Sequence, residues 1–168
     1  MIAAGSSGKN GASSILLSAP GFDDDFELWA GPVFSMLETC VGAIQAEEMI
    51  GVVCFHCNYV TPDGKSWPGF GHMHSLPRLK QWYNQHSSPS SSQPAAPLSD
   101  NEIAAGGAWQ RRTPHAVINV LRAEQLEAAE GRRKTGELYE RNLRVLMSKD
   151  EGIGLEKLAE DLKREQCL

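Results

Sequence analysis

Apolar positions along the chain follow two rhythms, one of strands and one of helices. Ser14-Ile15-Leu16-Leu17-Ser18, closed by Ala19-Pro20-Gly21, predicts a short buried strand. Asp23, Asp24 and Asp25 suit the positive end of a starting helix. Behind them Trp29, Val33, Met36, Leu37, Cys40 and Ile44 recur at helical spacing, so residues 25–47 read as one amphipathic helix. Pro32 either kinks that helix or opens its main portion. Residues 50–56, IGVVCFH, are apolar on both faces, as an interior strand would be.

The later pattern is helical. Residues 76–83 predict one short helix. Thr113-Pro114 has the form of a helix start, Thr as N-cap and Pro at the first position, with Val117, Val120 and Leu121 on the buried side and 123–129 as a continuation or a new turn. Residues 135–147 carry Leu138, Asn142, Val145 and Leu146 on one face, with Tyr139 beside it. Leu155, Leu158, Ala159 and Leu162 give the i, i+3, i+4, i+7 stripe of a final helix. The sum is an α+β fold: a small sheet with two recognisable strands, incomplete as it stands, covered by four or five helices. The small, polar stretch 1–13 reads as a flexible N-terminus, and 14–165 as a single domain. A disordered insertion is expected at about 85–107, because SSPSSSQPAAPLSDNE is too poor in apolar side chains to offset chain entropy.

Composition narrows the function classes. Sixteen basic against 21 acidic residues give a formal charge of −5, without the broad basic surface that nucleic-acid binding needs. No apolar run approaches the roughly 20 residues of a membrane span. Cys40, Cys54, Cys57 and Cys167 are too few and too irregular for a disulfide framework, which favours a reducing compartment, cytoplasmic or plastid. No phosphate-binding glycine motif and no G-x-S-x-G is present.

Three constellations bear on chemistry. His56 closes the second predicted strand, where side chains often face a crevice, and is the candidate acid–base residue, with Tyr59 beside it. Arg111 and Arg112 precede the expected helix start at Thr113, an arrangement suited to phosphate or carboxylate. Cys54, His56, Cys57, His72 and His74 have zinc-ligand chemistry, yet strand alternation turns Cys57 away from Cys54 and His56, so no bound metal and no cofactor are expected.

Several of these segments, taken in order, resemble a known family. The series is Ser14-Ile15-Leu16-Leu17, Asp25-Phe26, Phe55-His56-x-x-Tyr59, Arg112-Thr113-Pro114, Leu121-Arg122, Leu126-Glu127-x-Ala129, and Glu140-Arg141-Asn142 with Leu146. It is similar to the domain-of-unknown-function 1415 family of bacteria, plants and algae, whose members carry F-H-P-x-Y, N-R-S-P-Y-P, L-L-R-x-x-x-L-E and E-R-N segments. The chain departs from that pattern at Cys57, Asn58, Arg111 and His115-Ala116, in a longer gap between Tyr59 and Arg112, and in having no counterpart of the Cys-Pro segment near the start of members. The resemblance implies a fold more than a reaction.

Together these readings lead to an expected cleft for a small anionic metabolite, with His56 as acid–base group and Tyr59, Arg111, Arg112 and Thr113 as binding residues. The contrasting expectation is a non-catalytic interaction module or inactive truncated relative, which takes a protein partner through an open sheet edge. Neither expectation involves nucleic acid or a membrane.

Overall fold

The computed structural model describes residues 14–65, 73–86, 97–124, 134–147 and 155–166. The chain begins with β1 (Ser14–Ser18), then a single 3₁₀ turn at Pro20–Phe22. A helical segment follows as α1 (Phe26–Leu28), a π turn at Trp29–Val33 and α2 (Phe34–Ala43). β2 (Ile50–Phe55), α3 (Leu76–His86), α4 (Asp100–Trp109), β3 (Val117–Arg122), α5 (Lys134–Met147) and α6 (Leu155–Gln166) complete the described elements. The three strands form one antiparallel sheet in the order β1-β3-β2. This is an α+β fold, as the hydrophobic pattern leads one to expect.

Local chemistry explains the first layer. Asp25 caps α1, its Oδ1 accepting the Leu28 N–H at 2.8 Å. Pro32 has no N–H to give the preceding turn, and the ladder widens there: the Phe34 N–H reaches back to the Trp29 carbonyl. Pro32 therefore makes a π bulge inside a continuous helical path. The helix ends on Gln45 at φ +54, the left-handed position of a Schellman cap. There Ala46 N–H donates to Val41 O at 3.0 Å and Gln45 N–H to Gly42 O at 3.0 Å.

Two cores hold the molecule. Trp29, Ala30 and Phe34 pack with Val52 and Cys54 of β2, with Ile118 and Val120 of β3, and with Tyr59 and Ala108. The Trp29 indole also donates to the Phe55 carbonyl at 3.0 Å. A second core joins α3, α4 and α5 through Leu79, Ile103, Tyr139 and Leu143. α5 is held by α3 and α4 rather than by the sheet, which leaves the second sheet face open beneath it.

The structure corrects four expectations. The segment after Thr113-Pro114 is not a helix: Thr113 Oγ1 donates to His115 O at 2.7 Å in a turn, and β3 then pairs on both sides. Val117, Ile118 and Val120 are β-branched, and tertiary pairing draws them into the central strand. β3 is accordingly the third strand that joins the two recognisable in the sequence. β1 is exposed along its whole length, since the helical layer covers the β2–β3 side. β2 is an edge by pairing, though its faces are largely covered. The expected insertion gives way to α3 up to His86 and to α4, which has its own capping box at Ser99 and Glu102. The rest of the expected insertion, 87–96, lies outside the described residues, as do 1–13 and most of 123–129.

Candidate functional site

The structure divides the expected site residues between two places. His56, Cys57, Tyr59, Arg112, Thr113 and His115 gather with Asp23 into a latch where β2 ends and β3 is about to begin. The Asn58 backbone N–H donates to His56 Nδ1 at 3.0 Å, which leaves the ring proton on Nε2; that nitrogen donates to the Phe22 carbonyl at 2.9 Å. The imidazole is fully buried between Phe26 and Trp29, with ring centroids 5.3 and 6.5 Å away. Proton exchange with a ligand would break two backbone hydrogen bonds. Contrary to the strand-end reading, His56 is built into the fold rather than presented to a crevice.

Its neighbours do similar work. Asp23 Oδ1 accepts the Ala116 N–H at 2.6 Å and Oδ2 meets His115 Nδ1 at 2.7 Å. The Asp23 carbonyl accepts from Asn58 Nδ2 at 3.1 Å and from the Cys57 thiol at 3.4 Å. Burial, and then the charge of Asp23, push the Cys57 thiol up, so it stays protonated and is a poor nucleophile. Tyr59 is buried with its ring 5.3 Å from Phe26, and burial likewise holds its phenol neutral. Arg112 Nε donates to the Tyr59 carbonyl at 3.3 Å, and its guanidinium lies 4.6 Å from the Trp109 ring centre. Burial lowers the pKa of Arg112.

Arg111 points elsewhere. Its Nη2 donates to Tyr139 Oη at 2.6 Å and its guanidinium stacks 5.4 Å from the Phe55 ring centre. There it lines a cleft of about 650 Å³ between the second sheet face and α5. Val53, Phe55, Asn119 and Leu121 form the floor, and Leu138, Tyr139, Arg141, Asn142, Val145 and Leu146 the opposite wall. Trp109 and Gln110 close one end, and Gln110 Oε1 accepts from Asn142 Nδ2 at 2.9 Å. The α5 face read from the sequence, Leu138 to Leu146 with Tyr139, is this wall.

The electrostatics of the cleft are one-sided. Arg111 and Arg141 bring two guanidiniums, and among the described lining residues there is no carboxylate. Arg111 is nearly buried and locked by Tyr139 and Phe55, whereas Arg141 stands exposed at the rim. The described lining residues also include no His, Cys or Ser. Sequence reasoning named Arg111 but missed Arg141, Asn119 and Gln110 as site residues. The lone Asn within Val117-Ile118-Asn119-Val120-Leu121 was the available signal.

The candidate metal set is dispersed. Cys54 lies in the sheet–helix core and His74 sits 4.7 Å from both the Trp82 and Tyr139 ring centres, while His72 lies outside the described residues. Among the described residues no group of three or more His, Cys, Asp or Glu side chains is placed to hold a metal ion, and no helix is long and apolar enough to cross a membrane. No family model, curated protein or solved structure matches the chain.

Proposed function

We propose that this protein binds a small organic anion with an apolar body in the cleft between the sheet and α5. The observation that carries the reading is the pairing of Arg111 and Arg141 with a largely apolar lining whose other polar groups are the amides of Gln110, Asn119 and Asn142 and the Tyr139 hydroxyl, with no carboxylate among the described residues. Arg111, held in place by Tyr139, is preorganised to meet a carboxylate or phosphate at little entropic cost. Arg141, at the rim, closes over the anion from solvent. Val53, Leu121, Leu138 and Val145 take up the apolar remainder. The cleft volume suits a ligand of metabolite size, within the roughly 300–1,000 Å³ of ordinary small-molecule sites. With no His, Cys, Ser or carboxylate among the described lining residues, binding rather than turnover is the activity proposed. Phe55, Leu121, Arg141, Asn142 and Leu146, five residues of the family-like motifs, face this space.

Thermal shift and calorimetry with matched panels test this. Phenylacetate and 3-phenylpropanoate are expected to raise the melting temperature and their neutral amides are not, because ligand binding to the native state stabilises it by mass action. Arg141→Gln is expected to weaken binding about tenfold or more at low salt, with the melting temperature of the free protein unchanged. Equal response to acids and amides, or an Arg141→Gln variant with full affinity, would overturn the anion reading.

A second reading has its own observation. The outer edge of β1 carries no strand among the described residues, and Ile15, Leu16 and Leu17 on it are 50, 67 and 49% exposed. That edge is proposed to take the β1 of a second copy.

A further inference from the structure

Asn119 sits where an amide is hardest to accommodate. It lies in the middle of the central strand, with Val53 opposite it on β2 and Leu16 on β1. Neither neighbour brings a polar side chain, and Val117 and Leu121, its same-face neighbours along β3, are apolar too. Asn142, an amide of the opposite wall, donates to Gln110 instead. As a result the Asn119 Oδ1 is buried without a hydrogen-bond partner among the described residues, on a residue of the cleft floor. A buried acceptor left unmade is costly, and a valine or leucine at this position would avoid the cost.

We propose that Asn119 is a specificity-determining residue whose side-chain amide turns toward the cleft on binding and accepts a hydrogen bond from a hydroxyl or amide N–H on the ligand. The inference rests on the anion-binding reading of the same cleft. It narrows the ligand from any apolar anion to one that carries a donor some distance from its anionic group. The sheet fixes that distance. Val53 lies directly across from Asn119, and Phe55, on which Arg111 stacks, is two residues further along β2 on the same face. Diagonal neighbours of this kind have Cα atoms roughly 7–8 Å apart. A hydroxylated aryl carboxylate spans such a separation, with its ring against Val53 and Leu121, its acid toward Arg111 and its hydroxyl toward Asn119. An analogue lacking the hydroxyl leaves the amide unsatisfied, which is how polar sites reject apolar competitors.

The test compares 4-hydroxyphenylacetate with phenylacetate by calorimetry on the full chain and on Asn119→Leu. The native protein is expected to prefer the hydroxylated acid about tenfold to a hundredfold, and in Asn119→Leu the ratio of the two affinities is expected to fall to about one. Melting curves and circular dichroism establish that the variant folds. The preference within the native protein needs no variant at all. Equal affinities in the native protein, or a preference that persists in Asn119→Leu, would overturn the assignment. The neutral pair 4-methylphenol and toluene separates this result from failure of the anion reading. If neither acid binds, but 4-methylphenol binds and depends on Asn119, the donor-reading role stands and the arginine role falls. If none of the four binds, both fall.

Discussion

Cys54 ties folding to proton binding at the level of a single residue. It is fully buried in the sheet–helix core, and desolvation pushes its thiol from an ordinary 9.0 up to about 12, with the charge of Arg111 pulling partly back. Tyr59 is moved in the same direction, again chiefly by burial. Each folded-state pKa is raised, so the native protein holds protons that the unfolded chain releases. The stabilisation is fully present below pH 9 and is lost as pH climbs toward the folded values. Stability is therefore expected to be flat to about pH 8.5 and then to fall on the order of 1 kcal/mol per pH unit through Cys54, with Tyr59 adding a similar slope only from about pH 10. Melting temperature measured from pH 7 to 11 checks this, and a Cys54→Ala variant should show a visibly shallower alkaline slope. An unchanged slope would mean that other groups carry it. Residue chemistry was only partly legible in the sequence. Arg111 could be named as an anion ligand from its type, but its separation from Arg112 depends on Tyr139 and Phe55, which are remote in sequence. His56 looked reactive because strand ends often are; the backbone groups of Asn58 and Phe22 that occupy its nitrogens left no mark in the pattern.

At the scale of elements, α4 shows how composition can hide a helix. The signal S-x-x-E ahead of Ile103 was present at Ser99 and Glu102, and the structure forms both bonds of the box: Glu102 N–H to Ser99 Oγ at 3.3 Å and Ser99 N–H to Glu102 Oε2 at 2.8 Å. The serine- and proline-rich run before it, and Gly106-Gly107 within it, made the region read as loop. Those glycines do a specific job. A Cβ on Gly106 would lie 2.7 Å from Leu143 Cδ2, and one on Gly107 would collide with Leu79 and lie 2.8 Å from Thr61 Oγ1. Their bareness lets α5 and α3 approach α4 from its two sides. Gly107→Ala is expected to cost about 1–3 kcal/mol in chemical denaturation, the overpacking outweighing the roughly 1 kcal/mol that alanine gains in a helix. Gly31→Ala, with nothing within 4 Å of its Cβ, is the control and should be neutral or mildly stabilising. Equal effects at both positions would show that close approach is not why Gly107 is glycine. β3 was misread for a different reason. Thr-Pro serves a turn as readily as a helix start. Only pairing to β1 and β2, information no local window contains, decides between them.

At the scale of the whole molecule, the sheet is covered unevenly. α1 and α2 pack on the β2–β3 side of one face, α5 stands over part of the other, and β1 is left bare at the edge. The α+β class and an unfinished sheet were legible from few strands among many helices, but which strand forms the open edge was not, because the order follows from β3. A solvent-facing edge with three large apolar side chains is a ready template for another strand. The β1 sequence is nearly palindromic. Antiparallel pairing about Leu16 sets Ser14 against Ser18, Ile15 against Leu17 and Leu16 against itself, the self-complementary arrangement of a two-fold interface. No charge lies on the strand to oppose it. The protein is therefore expected to run as a dimer by light scattering at micromolar concentration. Leu16→Lys, which places like charges on the two-fold axis, should make it a monomer. Leu16 lies opposite Asn119 at the margin of the cleft and is not among the residues that line it, so the monomeric variant should keep its affinity for the aryl acids. A native chain that stays monomeric would remove the edge-pairing reading and leave the cleft untouched. A Leu16→Lys dimer would move the interface away from β1.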